Sequence, residues 1–190
     1  IKPADPGNGC TSGTSVVNGT LVIKNFKING GTCAAVATPT SFCGTFANTT
    51  GLSEYDPNNK ITFSVASNEL TFDLAAAGVY DANELKIDFP APLDLSAASS
   101  TGLLTFDVKV SSALAVTGGG CDAGTNFLPL AFNFYDNSGD TYAAGFATAS
   151  GIFDETQFVR FTINGDLTGA GFDNAAVKGI AIKPGNPGAN

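Results

Sequence analysis

The chain of 190 residues has no His, no Met and no Trp, and its one Arg is Arg160. Without His, Ser-His-Asp and Cys-His nucleophile systems are excluded, and no mixed Cys/His zinc site can form. No apolar run approaches the ~18 residues of a spanning helix, so no membrane span is expected. Charged residues are scarce at 14%, and the formal net charge is −8. An acidic surface repels phosphate backbones, which argues against a nucleic-acid partner. The remaining route to hydrolysis is a carboxylate pair of glycosidase type, for which Glu54, Glu69, Glu84 and Glu155 are available. Acidic residues on wet strand faces ordinarily solubilise, so the chain reads as non-catalytic.

What the chain does have is short runs that alternate apolar and polar residues. Ile61, Phe63 and Val65 alternate, as do Leu70, Phe72 and Leu74, then Leu85, Ile87 and Phe89, and Leu104, Phe106, Val108 and Val110. Leu128 to Phe134, Tyr142 to Phe146, Val159 to Ile163 and Ile180 to Ile182 continue the series, with a first strand expected over Leu21 to Ile28. Period-two alternation gives each strand one buried and one wet face. Asp56-Pro57-Asn58-Asn59, Pro90-Ala91-Pro92, Asn137-Ser138-Gly139 and Asn164-Gly165 read as breaks between runs. The pattern predicts an all-β fold, an antiparallel β-sandwich of jelly-roll type with an extended N-terminal arm. Residues 1–19 form that arm, 20–183 a single sandwich domain, and 184–190 a Pro/Gly-rich tail. The expected core holds Phe63, Phe72, Phe89, Phe106, Phe132, Phe134 and Phe161. A loop carrying Cys33 and Cys43 is expected to run to about Asn59, with short helical turns near Ala75–Ala77 or Ala97–Ser100.

Two self-similarities stand out. Leu70-Thr71-Phe72-Asp73-Leu74 repeats as Leu104-Thr105-Phe106-Asp107-Val108, which suggests two equivalent strands. Ile1-Lys2-Pro3-Ala4-Asp5-Pro6-Gly7-Asn8 resembles Ile182-Lys183-Pro184-Gly185-Asn186-Pro187-Gly188, which suggests linkers or exchanged arms.

Cys10, Cys33, Cys43 and Cys121 are even in number, and none forms a Cys-x-x-Cys pair. In a chain of secreted character this favours two disulfides. Three connectivities are open; Cys33–Cys43 as a local clasp and Cys10–Cys121 as a long bridge are favoured. Asn18-Gly19-Thr20 and Asn48-Thr49-Thr50 are N-glycosylation sequons. Ile1 reads as a processed start, and the expected location is extracellular or at the cell surface.

The stretches Asp94 to Lys109, Phe134 to Asp140 and Phe172 to Ile182 resemble strand entries of the galactose-binding-like jelly-roll superfamily, which includes many carbohydrate-binding modules. The resemblance covers about the C-terminal half. It implies a jelly-roll fold, and its sugar-binding members present Trp or Tyr platforms. With no Trp, candidates here are Tyr55, Tyr80, Tyr135 and Tyr142; Tyr135 and Tyr142 flank one proposed hairpin. Asp136, Ser138 and Asp140 in that hairpin offer alternating oxygen ligands for calcium, the one cofactor considered. Asp5, Asp122, Asp154 and Asp173 are further loop carboxylates. Lys24, Lys27 and Lys109 are candidates for isopeptide bonds to Asn or Asp.

These features lead to two functional expectations. The first is a non-catalytic exported structural protein, a subunit of an extracellular filament, sheath or surface layer. Copies of it would assemble through the termini and sheet edges, with Val16–Ile28 or Val177–Ile182 adding to a neighbour's sheet. The alternative is a carbohydrate-binding module of a larger secreted enzyme or adhesin, with extracellular polysaccharide as partner.

Overall fold

The computed structural model describes residues 16–31, 40–78, 83–98, 101–110, 115–117, 127–139, 141–148, 156–164, 167–169 and 171–184. These hold twelve strands and no helix: β1 (Val16–Ile28), β2 (Phe42–Gly44), β3 (Leu52–Tyr55), β4 (Ile61–Ala66), β5 (Glu69–Gly78), β6 (Glu84–Leu93), β7 (Leu104–Val110), β8 (Ala115–Thr117), β9 (Phe127–Asp136), β10 (Thr141–Thr148), β11 (Val159–Ile163) and β12 (Val177–Pro184). They form two antiparallel sheets. The first, of seven strands, runs β11-β7-β1-β5-β4, with β2 and β8 also paired to β1. The second runs β10-β9-β12-β6-β3.

β1 is the spine of the first sheet. One of its sides pairs with β5 and then β2, the other with β8 and then β7. Its core residues are Leu21, Ile23, Phe26 and Ile28, all fully buried. Strict alternation would turn Phe26 and Ile28 outward. A bulge between Lys24 and Lys27 resets the phase: β1 advances three residues there while β7 advances two, from Asp107 to Thr105. Asn25 takes the left-handed conformation (φ 52°) that this bulge requires, and Asn tolerates it better than most residues.

The repeated Leu-Thr-Phe-Asp segments are the two strands flanking β1. Phe72 and Phe106 both reach the core and are fully buried. Each following Asp is bonded by a β1 side chain on the outer face. Thr20 Oγ1 donates to Asp73 Oδ1 at 2.5 Å, and Asn25 Nδ2 donates to Asp107 Oδ2 at 2.7 Å.

The two sheets face each other across one aromatic core, a sandwich-like arrangement. Phe106 of the first sheet lies 5.2 Å from Phe132 of the second, ring centre to ring centre, and Phe42 lies 4.8 Å from Phe89. Phe106 also contacts Phe26 at 6.0 Å and Phe161 at 5.6 Å. Six of the seven expected core phenylalanines are buried; Phe63, on the outermost strand β4, is only half-buried.

Several local expectations are corrected. β1 begins at Val16, inside the segment expected to be an arm, because Val16 and Val17 pair with β5 on one side and with β8 on the other. The expected loop up to Asn59 contains β2 and β3. Ala75–Ala77 belong to β5, with Ala76 at φ 52° in a bulge whose N–H donates to Asn18 Oδ1 at 2.8 Å. Pro90-Ala91-Pro92 does not end β6. The register jumps from Gly179↔Asp88 to Val177↔Leu93, so the prolines lie in an exposed bulge where no ladder N–H is needed. The segments 1–15 and 185–190 lie outside the described residues.

Phe106→Ala is expected to cost about 3–5 kcal/mol in urea unfolding, and Phe63→Ala clearly less. Equal losses would contradict the placement of the core.

Candidate functional site

The only Arg is committed to the sheet. Arg160 and Asp107 are cross-strand partners in register. Arg160 Nε donates to Asp107 Oδ1, and Nη2 donates to Oδ2 at 3.0 Å, a two-pronged charge-assisted pair. The Asp107 side chain is only 12% exposed, whereas that of Arg160 is 58% exposed. Burial pushes the Asp107 carboxyl upward. Hydrogen bonds from Arg160 and Asn25, with the charges of Arg160 and Lys24, outweigh it and hold the group below the usual carboxylate range. Lys24 Nζ lies 3.6 Å above the Phe158 ring and 3.8 Å from Glu69, and Lys109 Nζ lies 5.3 Å from the same ring. Lys24 is thus engaged with Glu69 and Phe158. These are fastenings of the outer face of the first sheet.

The proposed calcium hairpin is a β9–β10 turn. Asp136 is 1% exposed. Its Oδ1 accepts the Ser138 N–H at 2.8 Å and its Oδ2 accepts the Asp173 N–H at 2.9 Å, so both oxygens already serve the backbone. Gly139 (φ 86°) completes the turn. Asp140 lies outside the described residues, and among those described no group of three or more His, Cys, Asp or Glu could hold a metal ion.

Tyr135 is not an open platform. It is 8% exposed, and its hydroxyl donates to Asp88 Oδ1 at 2.7 Å. Burial first, then the Asp88 hydrogen bond and the charges of Asp88 and Glu84, push the phenol far above its usual range. The ring crosses its register partner Gly179, where an added Cβ would sit 2.3 Å from Tyr135 Oη and 2.6 Å from the Ile87 carbonyl oxygen. Tyr142 pairs with Phe134, the adjacent register position. Tyr55 is exposed on β3; Tyr80 lies outside the described residues.

The other candidates are dispersed. Glu54 is exposed on β3, Glu69 faces Lys24, and Glu84 accepts Lys86 at 3.0 Å. Asp173 accepts the Ala175 N–H within its own turn. Glu155, Asp5, Asp122 and Asp154 lie outside the described residues, as do Cys10, Cys33 and Cys121. Cys43, on β2, carries no free thiol and is disulfide-bonded. Asn18 is half-buried in β1, and Asn48 is exposed between β2 and β3.

Two surface features were not legible from residue types. One is a cleft of about 290 Å3 floored by Phe42, Phe46, Phe89 and Leu52 and rimmed by Asn48 and Asp88. The other is the outer edge of β4. The β4–β5 hairpin closes on Ser67-Asn68, both at positive φ, the two-residue turn that suits strand twist. From the Ala66↔Glu69 pair, alternate residues bond to β5, which leaves the N–H and C=O of Ile61, Phe63 and Val65 pointing away from it. The Ile61 N–H indeed reaches outward, to Asp56 Oδ2 at 3.0 Å. Among the described residues no strand pairs with this edge. No family model, curated protein or solved structure matches the chain.

Because the Asp107 pKa is lowered on folding, its contribution is present above the unfolded value of ~3.9 and lost as pH falls through the folded value. Arg160→Met is expected to cost about 1–3 kcal/mol at neutral pH, shrinking toward zero in acid. A loss that is constant with pH would contradict the pairing. Gly179→Ala is expected to destabilise by about 1–3 kcal/mol, read as a lowered melting temperature; an unchanged one would show that Tyr135 does not lie across Gly179.

Proposed function

We propose that the chain is a non-catalytic, exported structural protein of jelly-roll type, whose copies join by sheet edges into an extracellular filament, sheath or surface layer. The observation that carries this reading is the edge of β4. Native edges are normally guarded by charge, Pro, brevity or cover. β3 is short and carries Glu54 before Asp56-Pro57. β10 and β11 lie against each other on the opposite side of the molecule. β4, Ile-Thr-Phe-Ser-Val-Ala, has no charge and no Pro, and its Phe63 and Val65 remain half-buried. A strand from a second copy would complete the burial of both and take up their free backbone groups.

This moves the joining surface away from the segments that looked most strand-like. Val16–Ile28 and Val177–Ile182 are each paired on both sides and have no edge to offer. The Pro/Gly-rich termini remain part of the proposal as additional joining segments. The disulfide at Cys43 supports an oxidising compartment. Tyr135, one of the two stacking candidates of the carbohydrate-binding alternative, is buried, which weighs toward the structural reading.

Val65→Pro removes only an outward N–H and keeps the bonds to β5, so the fold is expected to survive. Sedimentation and electron microscopy should show assemblies from the parent chain and monomers from this variant. A Val65→Pro protein that assembles as the parent does would overturn the proposal.

A further inference from the structure

The two sequons differ sharply in what their amides are doing. Asn18 sits within β1, between β5 and β8, and its Oδ1 holds the Ala76 N–H of the β5 bulge. A sugar on its Nδ2 would have to leave through the face of a seven-stranded sheet. Asn48 is exposed in the turn after β2, and its Oδ1 accepts the Thr50 N–H at 2.9 Å. That bond fixes the carboxamide and leaves Nδ2 with no partner among the described residues. Asn48 also rims the cleft floored by Phe42, Phe46 and Phe89. Phe46, two residues earlier, holds a left-handed backbone (φ 47°) that is unusual for a bulky residue. Its ring is 5% exposed, 6.1 Å from Phe26, and turns the chain so that residues 47–50 project outward.

We propose that Asn48, and not Asn18, is an N-glycan acceptor, and that the first sugar covers the adjoining cleft. The donor class is an oligosaccharide linked to a lipid pyrophosphate, presented by a host transferase. Asn48 Nδ2 attacks the anomeric carbon and loses one proton. The carbon–oxygen bond to the pyrophosphate breaks, the N–C bond forms, and the lipid pyrophosphate leaves. An acetamido sugar suits the cleft because its apolar ring face can lie on the aromatic floor while its polar groups meet Thr45, Thr50 and Asp88 at the rim.

The test is secretion of the full chain from a eukaryotic host behind that host's signal peptide, followed by intact mass and peptide mapping with and without amidase release of N-glycans. The expected product carries one glycan, mapped to Asn48. Asn18→Gln should leave that mass shift unchanged. Thr50→Ala should abolish it, and Thr50→Ser, which keeps the sequon, should retain it. Trimming to a single N-acetylglucosamine should preserve the melting temperature, and complete removal should lower it. A secreted protein glycosylated at Asn18, or bare at Asn48, overturns the assignment of the site. A melting temperature indifferent to the last sugar overturns its place in the cleft.

Discussion

The first sheet depends on the change of phase in β1 at Asn25. This thirteen-residue strand is paired to four others and must bury Leu21, Ile23, Phe26 and Ile28 on one face. Those positions are spaced two, three and two apart, so a regular strand would put half of them in water. Burying each large apolar side chain is worth roughly 1.5–3 kcal/mol. One residue in the left-handed region is a small cost against two such side chains turned outward. Asn25 supplies the conformation, and its side chain then bonds Asp107, the carboxylate gripped by the only Arg. The bulge, the buried carboxylate and Arg160 therefore form one unit on the outer face, and Phe26, Phe106 and Phe161 lie on the opposite face, where Phe106 meets Phe132 of the second sheet.

Much of this was legible in the sequence, and the exceptions have physical causes. Alternation located the strands around Phe63, Phe72, Phe106, Phe132 and Phe161, because period two reports one-sided burial directly. The duplicated Leu-Thr-Phe-Asp marked the two strands that flank β1. Alternation does not report neighbours, so Val16–Ile28 looked available for joining when it is the most enclosed strand of its sheet. β2 and β3 are too short to show a period. Val16-Val17-Asn18-Gly19 reads as the end of an extended arm because Asn and Gly interrupt the alternation, while its pairing partners in β5 and β8 are distant in sequence. Pro90-Ala91-Pro92 has the composition of a break, yet a bulge lets β6 pass through it.

The candidate site was harder to read for a related reason. Asp136-Asn137-Ser138-Gly139-Asp140 has the residue types of a cation loop and equally those of a tight hairpin. The Asp173 N–H, distant in sequence, takes up the second oxygen of Asp136. Tyr135 looked like a sugar platform because ring chemistry is visible in a sequence and the absence of a side chain at Gly179, across the sheet, is not. The features left over are of another kind. An uncharged edge strand and an apolar cleft beside an exposed sequon need no titrating group, which suits a chain with no His and a single Arg that is paired with Asp107. In this account the chemistry on the surface is backbone pairing at β4 and modification at Asn48.

In the proposed assembly the free edge of β4 becomes paired when copies of the chain join. Amide hydrogen exchange, resolved to single residues and compared between dispersed and assembled protein, measures this directly. The Phe63 and Val65 amides should exchange quickly in the dispersed chain and become strongly protected in the assembly, while those of Thr62 and Ser64, already bonded to β5, should change little. Equal exchange of Phe63 and Val65 in both states, with assembly present, would contradict it.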